Sequence, residues 1–200
     1  MANFAAIASV GQSLARLLTA RLAEQPAVIE NTVVRAAVVR TNDFDPKESQ
    51  SVIQPPILSI FLYRVDFNKA MRSAWSAVGA TEGRAHLPLD LHYLLTAWAG
   101  DAENEHRILG RVLQALDSTP ILSGPILDPT GDWALNESVQ IVMEEITTEA
   151  VMRTFDSLPT DYRLSVPYVA RIVRIAGPGS GAAPDVEDAV TRVRPVGGER

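Results

Sequence analysis

Apolar residues recur at steps of three and four near the start of the chain. Phe4, Ile7, Gly11, Leu14, Leu18 and Leu22 form one stripe, widened by Val10 and Leu17, which predicts an amphipathic helix over residues 4–22. Asn3 is placed to cap it, and Pro26 follows its end. Gly11 within the stripe costs about 1 kcal/mol against alanine, so its expected use is a close approach to a neighbouring strand or helix. Residues 32–40 alternate weakly and are rich in valine, as a strand would be. Residues 42–54 are polar and read as a mobile loop. Pro55 and Pro56 then force an extended entry into residues 57–65, which are apolar on both faces like a central strand. The connection over 66–86 has little period, and loops of that length are uncommon in compact domains unless they have a role.

The strongest period-two pattern lies at 87–98. Leu87, Leu89, Leu91, Tyr93, Leu95 and Ala97 share one face; the other begins polar with Asp90 and His92 and ends apolar with Leu94 and Trp98. A helix follows, with Asp101 as its N-cap, Glu103 in its first turn, and Ile108, Leu109, Val112, Leu113 and Leu116 buried. Arg107, Arg111 and Gln114 face away, and Thr119-Pro120 ends it. Residues 121–133 contain two prolines and two glycines and read as a loop. Alternation returns over 137–144, with Val139, Ile141 and Met143 inward. Thr147 caps a short helix whose inward side is Val151, Met152 and Phe155. Residues 162–175 form a last strand, in which Pro167 implies an edge position or a bulge.

The order is α-β-β-β-α-β-α-β. It predicts an α+β fold: a single domain over 1–175 with a mixed, mostly antiparallel sheet and helices mainly on one face. Residues 176–200 read as a Gly/Pro-rich linker and a flexible C-terminal extension. Within that extension Val190, Arg192 and Arg194 alternate with Thr191, Val193 and Pro195. The segment is either a disordered terminus or a strand that adds to a sheet edge on a neighbour.

Composition narrows the chemistry. The 200 residues, 46% of them hydrophobic, suffice for one core without a staple. There is no cysteine, so disulfides, thiolate metal sites and cysteine nucleophiles are excluded. The net charge of −6, with no Lys/Arg cluster, argues against nucleic acid as a partner. No signal peptide and no apolar run long enough to span a membrane is visible.

Asp90 and His92 could orient one another for base chemistry, but no serine or cysteine sits in a nucleophile turn to complete such a site. The plainer reading is a solvated strand start with Arg171 or Arg174 as ion-pair partners. His86 and His92 lie about 20 Å apart at strand rise, and His106 is on a helix, so no metal site is expected. No phosphate-binding loop is present. No catalytic residue, cofactor or metal is expected, and association surfaces remain. Trp75, with no core register, either anchors an interface or tucks under its own loop. Arg107 and Arg111 either pair with the acidic loop Asp43, Asp45, Lys47 and Glu48 of a neighbour or form a solvated face. Val190, Arg192, Val193 and Arg194 complete the candidate interface.

Four segments in sequence carry a resemblance: LSIFLYR (58–64), LPLDLHYLLTAW (87–98), EHRILGR (105–111) and YRLSVPY (162–168). Together they resemble the N-terminal domain of the cap, or tail-terminator, proteins of bacterial contractile injection systems, over residues 4–175. The resemblance implies a non-enzymatic structural role. It implies a homo-hexameric ring that ends growth of the tube and sheath, with the sheath and inner-tube proteins as partners. It places the protein in the cytoplasm of the producing bacterium, in an assembled particle that can be released. The alternatives are another tail component, such as a baseplate or tube-completion protein, or a small-ligand-binding or hydrolytic domain around Asp90 and His92.

Overall fold

The computed structural model describes residues 2–24, 33–72 and 86–177. Helix α1 (Ala6–Ala23) leads into strand β1 (Arg35–Val39), a 3-10 turn (Thr41–Phe44) and β2 (Ile57–Phe67). A single helical turn, α2 (Lys69–Arg72), precedes β3 (His86–Trp98) and α3 (Ala102–Ser118). The chain continues through β4 (Ile121–Ser123), two 3-10 turns, β5 (Ser138–Met143), α4 (Thr148–Asp156) and β6 (Ser165–Ala176). The six strands form one sheet in the order β1-β2-β3-β6-β5-β4, parallel only between β1 and β2. This is the expected single α+β domain with a mixed, mostly antiparallel sheet.

The period-two reading of β3 explains the two cores. Leu89, Leu91, Tyr93, Leu95 and Ala97 point to the face covered by α1 and α3, where they meet Val10, Leu14, Leu18, Ile108 and Val112. Leu94 and Trp98 point the other way and join Phe44, Val151, Phe155 and Leu158 in a smaller core under α4. Gly11 makes the close approach its position implied: a Cβ there would lie 3.2 Å from Val38 Cγ2. Asp101 accepts from Asn104 N at 2.9 Å and Thr147 Oγ1 from Ala150 N at 3.2 Å, so both expected N-caps form.

Several expectations are corrected. Helix α1 starts at Ala6 rather than residue 4, and Phe4 is exposed. Asn3 is not its N-cap residue; it lies two residues before the N-cap Ala5, and its Oδ1 accepts from Ala5 N at 2.7 Å. Residues 121–133 are not simply a loop, because β4 pairs with β5 and buries Leu122. Met143 and Met152 are exposed: Met143 is the last residue of β5, and Met152 lies beside the buried Val151 and Phe155 stripe of α4 rather than on it. Pro167 lies in an interior strand, between β3 and β5. It is tolerated because β5 ends at Met143: Pro167 gives its carbonyl to Glu144 N at 3.0 Å, and no ladder donor is needed on that side.

The 42–54 loop is also more ordered than its composition implied. Its short polar side chains satisfy its own backbone: Asp43 Oδ2 accepts from Arg40 N at 2.8 Å, Asp45 Oδ1 from Lys47 N at 2.9 Å and Ser51 Oγ from Ile53 N at 3.1 Å. Phe44 anchors it against Phe61 and Trp98, with ring centroids 5.2 and 5.9 Å away.

Candidate functional site

The Asp90 and His92 pair does not sit at a solvated strand start. His92 is buried, and its partners come from β2 and from the residue after β5, not from Arg171 or Arg174. The ladder between β2 and β3 slips by one residue between Leu62 and Arg64. Two β2 residues therefore face one on β3, and both Tyr63 and Arg64 reach toward His92. His92 Nδ1 donates to Glu144 Oε2 at 2.8 Å, a carboxylate being able only to accept, and Nε2 lies 3.4 Å from Asp66 Oδ2. Tyr63 OH donates to Glu144 Oε2 at 3.1 Å, and Arg64 bonds Glu144 Oε1 at 3.0 Å and Asp66 Oδ2 at 2.9 Å. Asp90 turns aside and takes both its bonds from Asn68 Nδ2.

Electrostatics follow from this arrangement. Burial alone would raise the Glu144 carboxyl, but the hydrogen bond and charge of His92, with Tyr63 and Arg64, bring it below the usual carboxylate range. Burial and the Glu144 charge push the Tyr63 phenol up to about 12. The cluster consists of two carboxylates, an imidazole, a guanidinium and the Tyr63 phenol, each bonded to another member. Among the described residues no group of three or more His, Asp and Glu is arranged to hold a metal ion. What it does is tie β2, β3 and the end of β5 together through hydrogen bonds and the Arg64 ion pairs.

The candidate association residues fall on different sides of the sheet. Asp45, Lys47 and Glu48 lie on the loop that packs with α4 on the smaller core, and Asp45 and Glu48, with Phe44 and Trp98, line a groove of about 280 Å³. Asp43 is buried beneath them and holds its own turn. Arg163 crosses the groove wall, 4.9 Å from the Trp98 ring centroid and 3.1 Å from Glu105 Oε1. Arg107 and Arg111 are on α3, across the sheet. Arg107 pairs with Glu103 one turn earlier. Arg111 ties α3 to α1 through Glu24 at 2.8 Å and Arg21 O at 3.2 Å. Trp75, Val190, Arg192, Val193 and Arg194 lie outside the described residues.

Sequence reasoning missed how α1 holds the 124–133 segment. Ser9 Oγ donates to Asp128 O at 2.8 Å, Asp128 N donates to Ser13 Oγ at 2.7 Å, and Trp133 Nε1 donates to Ser9 Oγ at 2.8 Å. The available signal was a pair of serines four residues apart within an otherwise apolar helix stripe.

The sequence matches one domain family, the Pvc16 N-terminal domain, from residue 9 to residue 188. The chain belongs to the Pvc16 N-terminal domain family. No curated protein matches it. Among solved structures it is similar to the PVC sheath/tube terminator of an extracellular contractile injection system in its extended state. That similarity has a TM-score of 0.54 at 17% identity and covers 93% of this chain and 65% of the other. It is also similar to the anti-feeding prophage cap, the AFP tube-terminating cap, with a TM-score of 0.55 at 22% identity, over 92% of this chain and 60% of that one. The chain thus spans less than two thirds of the length of either structure, and at these identities the likeness is one of fold. Among the described residues no helix is long and apolar enough to cross a membrane.

Proposed function

We propose that this chain caps a contractile injection system, forming a homo-hexameric ring that ends growth of the inner tube and sheath. The observation that carries the reading is the domain-family match over residues 9–188, joined to a fold shared with a sheath/tube terminator and a tube-terminating cap. The surfaces agree with it. A closed ring of identical copies needs two unlike, complementary patches on each subunit. The acidic loop with Asp45 and Glu48 lies on one face of the sheet and the α3 arginines on the other; for a loop of one copy to meet the helix of the next, Arg107 would exchange Glu103, and Arg111 would exchange Glu24, for the loop's carboxylates. Trp75 and the extension at 176–200 belong to the same proposed interface, the latter as an addition to the 1–175 domain. Sheath and tube subunits are the partners in this reading, and the producing cell's cytoplasm is where the ring joins a particle that is later released.

Six copies of the 21.7 kDa chain make a ring of about 130 kDa. Light scattering of the purified chain after size exclusion is expected to show that mass, and negative-stain imaging of the same fraction is expected to show closed rings. A strictly monomeric chain that leaves sheath ends unoccupied would contradict the proposal and favour a different tail component.

A further inference from the structure

We infer that the free edge of β5 receives an added strand, and that its occupant is the C-terminal segment of this same sequence, residues 189–195. The sheet has two edges, and they are treated differently. At β1, Thr19 of α1 occupies the outer side: its Oγ1 accepts from Ala36 N at 2.9 Å and donates back to Ala36 O at 3.4 Å. At the other edge β4 pairs with only Ser138, Val139 and Gln140. Ile141 N still donates to Pro120 O at 2.7 Å, but among the described residues no strand lies beside Ile141, Val142 and Met143 on that side. Glu144 N donates inward to Pro167 O, so the alternation of an antiparallel ladder turns the Met143 N–H and C=O outward. An exposed donor and acceptor on a strand edge is a template for another strand.

The surface beneath that edge specifies what fits. A groove of about 580 Å³ runs between the second half of α3 and β5, lined by Leu113, Leu116, Pro120, Ile141, Met143 and Tyr168. Asp117 is the charged residue at its wall, Glu145 follows the edge, and among the described residues no lysine or arginine lines it. The occupant must therefore be extended, carry small apolar side chains on one face and present positive charge. In AVTRVRP (189–195), Ala189, Thr191, Val193 and Pro195 share one strand face, and Arg192 and Arg194 the other. Reach is sufficient. Residues 178–188 span up to about 36 Å when extended, whereas Ala176 lies about 20 Å along β6 from Ala170, the partner of Ile141. Main-chain bonds would supply the affinity and the groove the register, as in strand addition generally.

The full chain has no cysteine, which allows a direct test. Under mild oxidation, Met143→Cys with Val193→Cys is expected to cross-link at least about tenfold faster than Met143→Cys with Arg200→Cys. A cross-link within one chain or between two copies supports the same site and tells which copy supplies the strand. In hydrogen exchange on the full chain, the Met143 amide is expected to be slowed at least about tenfold relative to Val193→Pro, while β3 amides stay unchanged. Equal cross-linking of the two pairs, or equal Met143 exchange in both proteins, overturns the inference. So does protection that appears only when a sheath or tube protein is added, since that assigns the edge to the added protein. None of these readouts depends on the cap role.

Discussion

Tyr93 is buried at 1% exposure with its hydroxyl opposite Gly11, and that hydroxyl has no hydrogen-bond partner among the described residues. A phenol that gives up water without a replacement bond carries an uncompensated cost. Tyr93→Phe is therefore expected to leave stability unchanged or raise it by up to about 1 kcal/mol, read as the urea midpoint. A clear drop would mean the hydroxyl is satisfied. Glu144 points the other way. Its carboxyl is held below the ordinary value in the folded chain, so the stability it contributes is present above the ordinary carboxylate range. That contribution is lost as pH falls through the folded value. Glu144→Gln is expected to flatten the fall in stability on acidification and to lower stability at neutral pH, both visible in thermal melts across pH. An unchanged acid limb would show that the cluster contributes nothing. Period two placed His92 and Asp90 on a common face, but it could not supply Glu144, more than fifty residues away. Nor could it register the slip at Tyr63, because alternation read along one strand carries no information about a bulge against its partner.

At the scale of elements, the helices and long strands were legible because each carries enough residues for its period to show, and because Asp101 and Thr147 mark two helix starts. β4 was not. Three residues between Pro120 and Pro125 hold no period, and the strand exists only because β5 is there to pair with it. The loop at 42–54 was misread for a related reason: its polar residues serve its own backbone, and Phe44 is a single apolar anchor among them. The same scale governs how the sheet ends. Thr19→Val keeps the shape of α1 but leaves Ala36 N–H without its partner, and a loss of about 1–2 kcal/mol is expected. Thr19→Ser is expected to restore most of it, as measured by chemical denaturation. Equal stability in the valine variant would show that β1 needs no such closure.

For the whole molecule, the four segments resembling injection-system caps were enough to point to the family, and the match over residues 9–188 shows it. What the chain's pattern could not reveal is which surfaces the fold leaves on opposite faces of the sheet, since that depends on how distant elements pack. The acidic loop by Trp98 and the α3 arginines are separated by the sheet, and Arg111 is paired with Glu24 within its own chain. The central claim is that copies of this domain close the end of a growing particle. Electron microscopy of particles made with and without the chain tests it most directly. With the chain absent, tubes and sheaths of uncontrolled length are expected, and supplying it is expected to restore a narrow length distribution. Particles of unchanged length and unchanged ends would contradict the account.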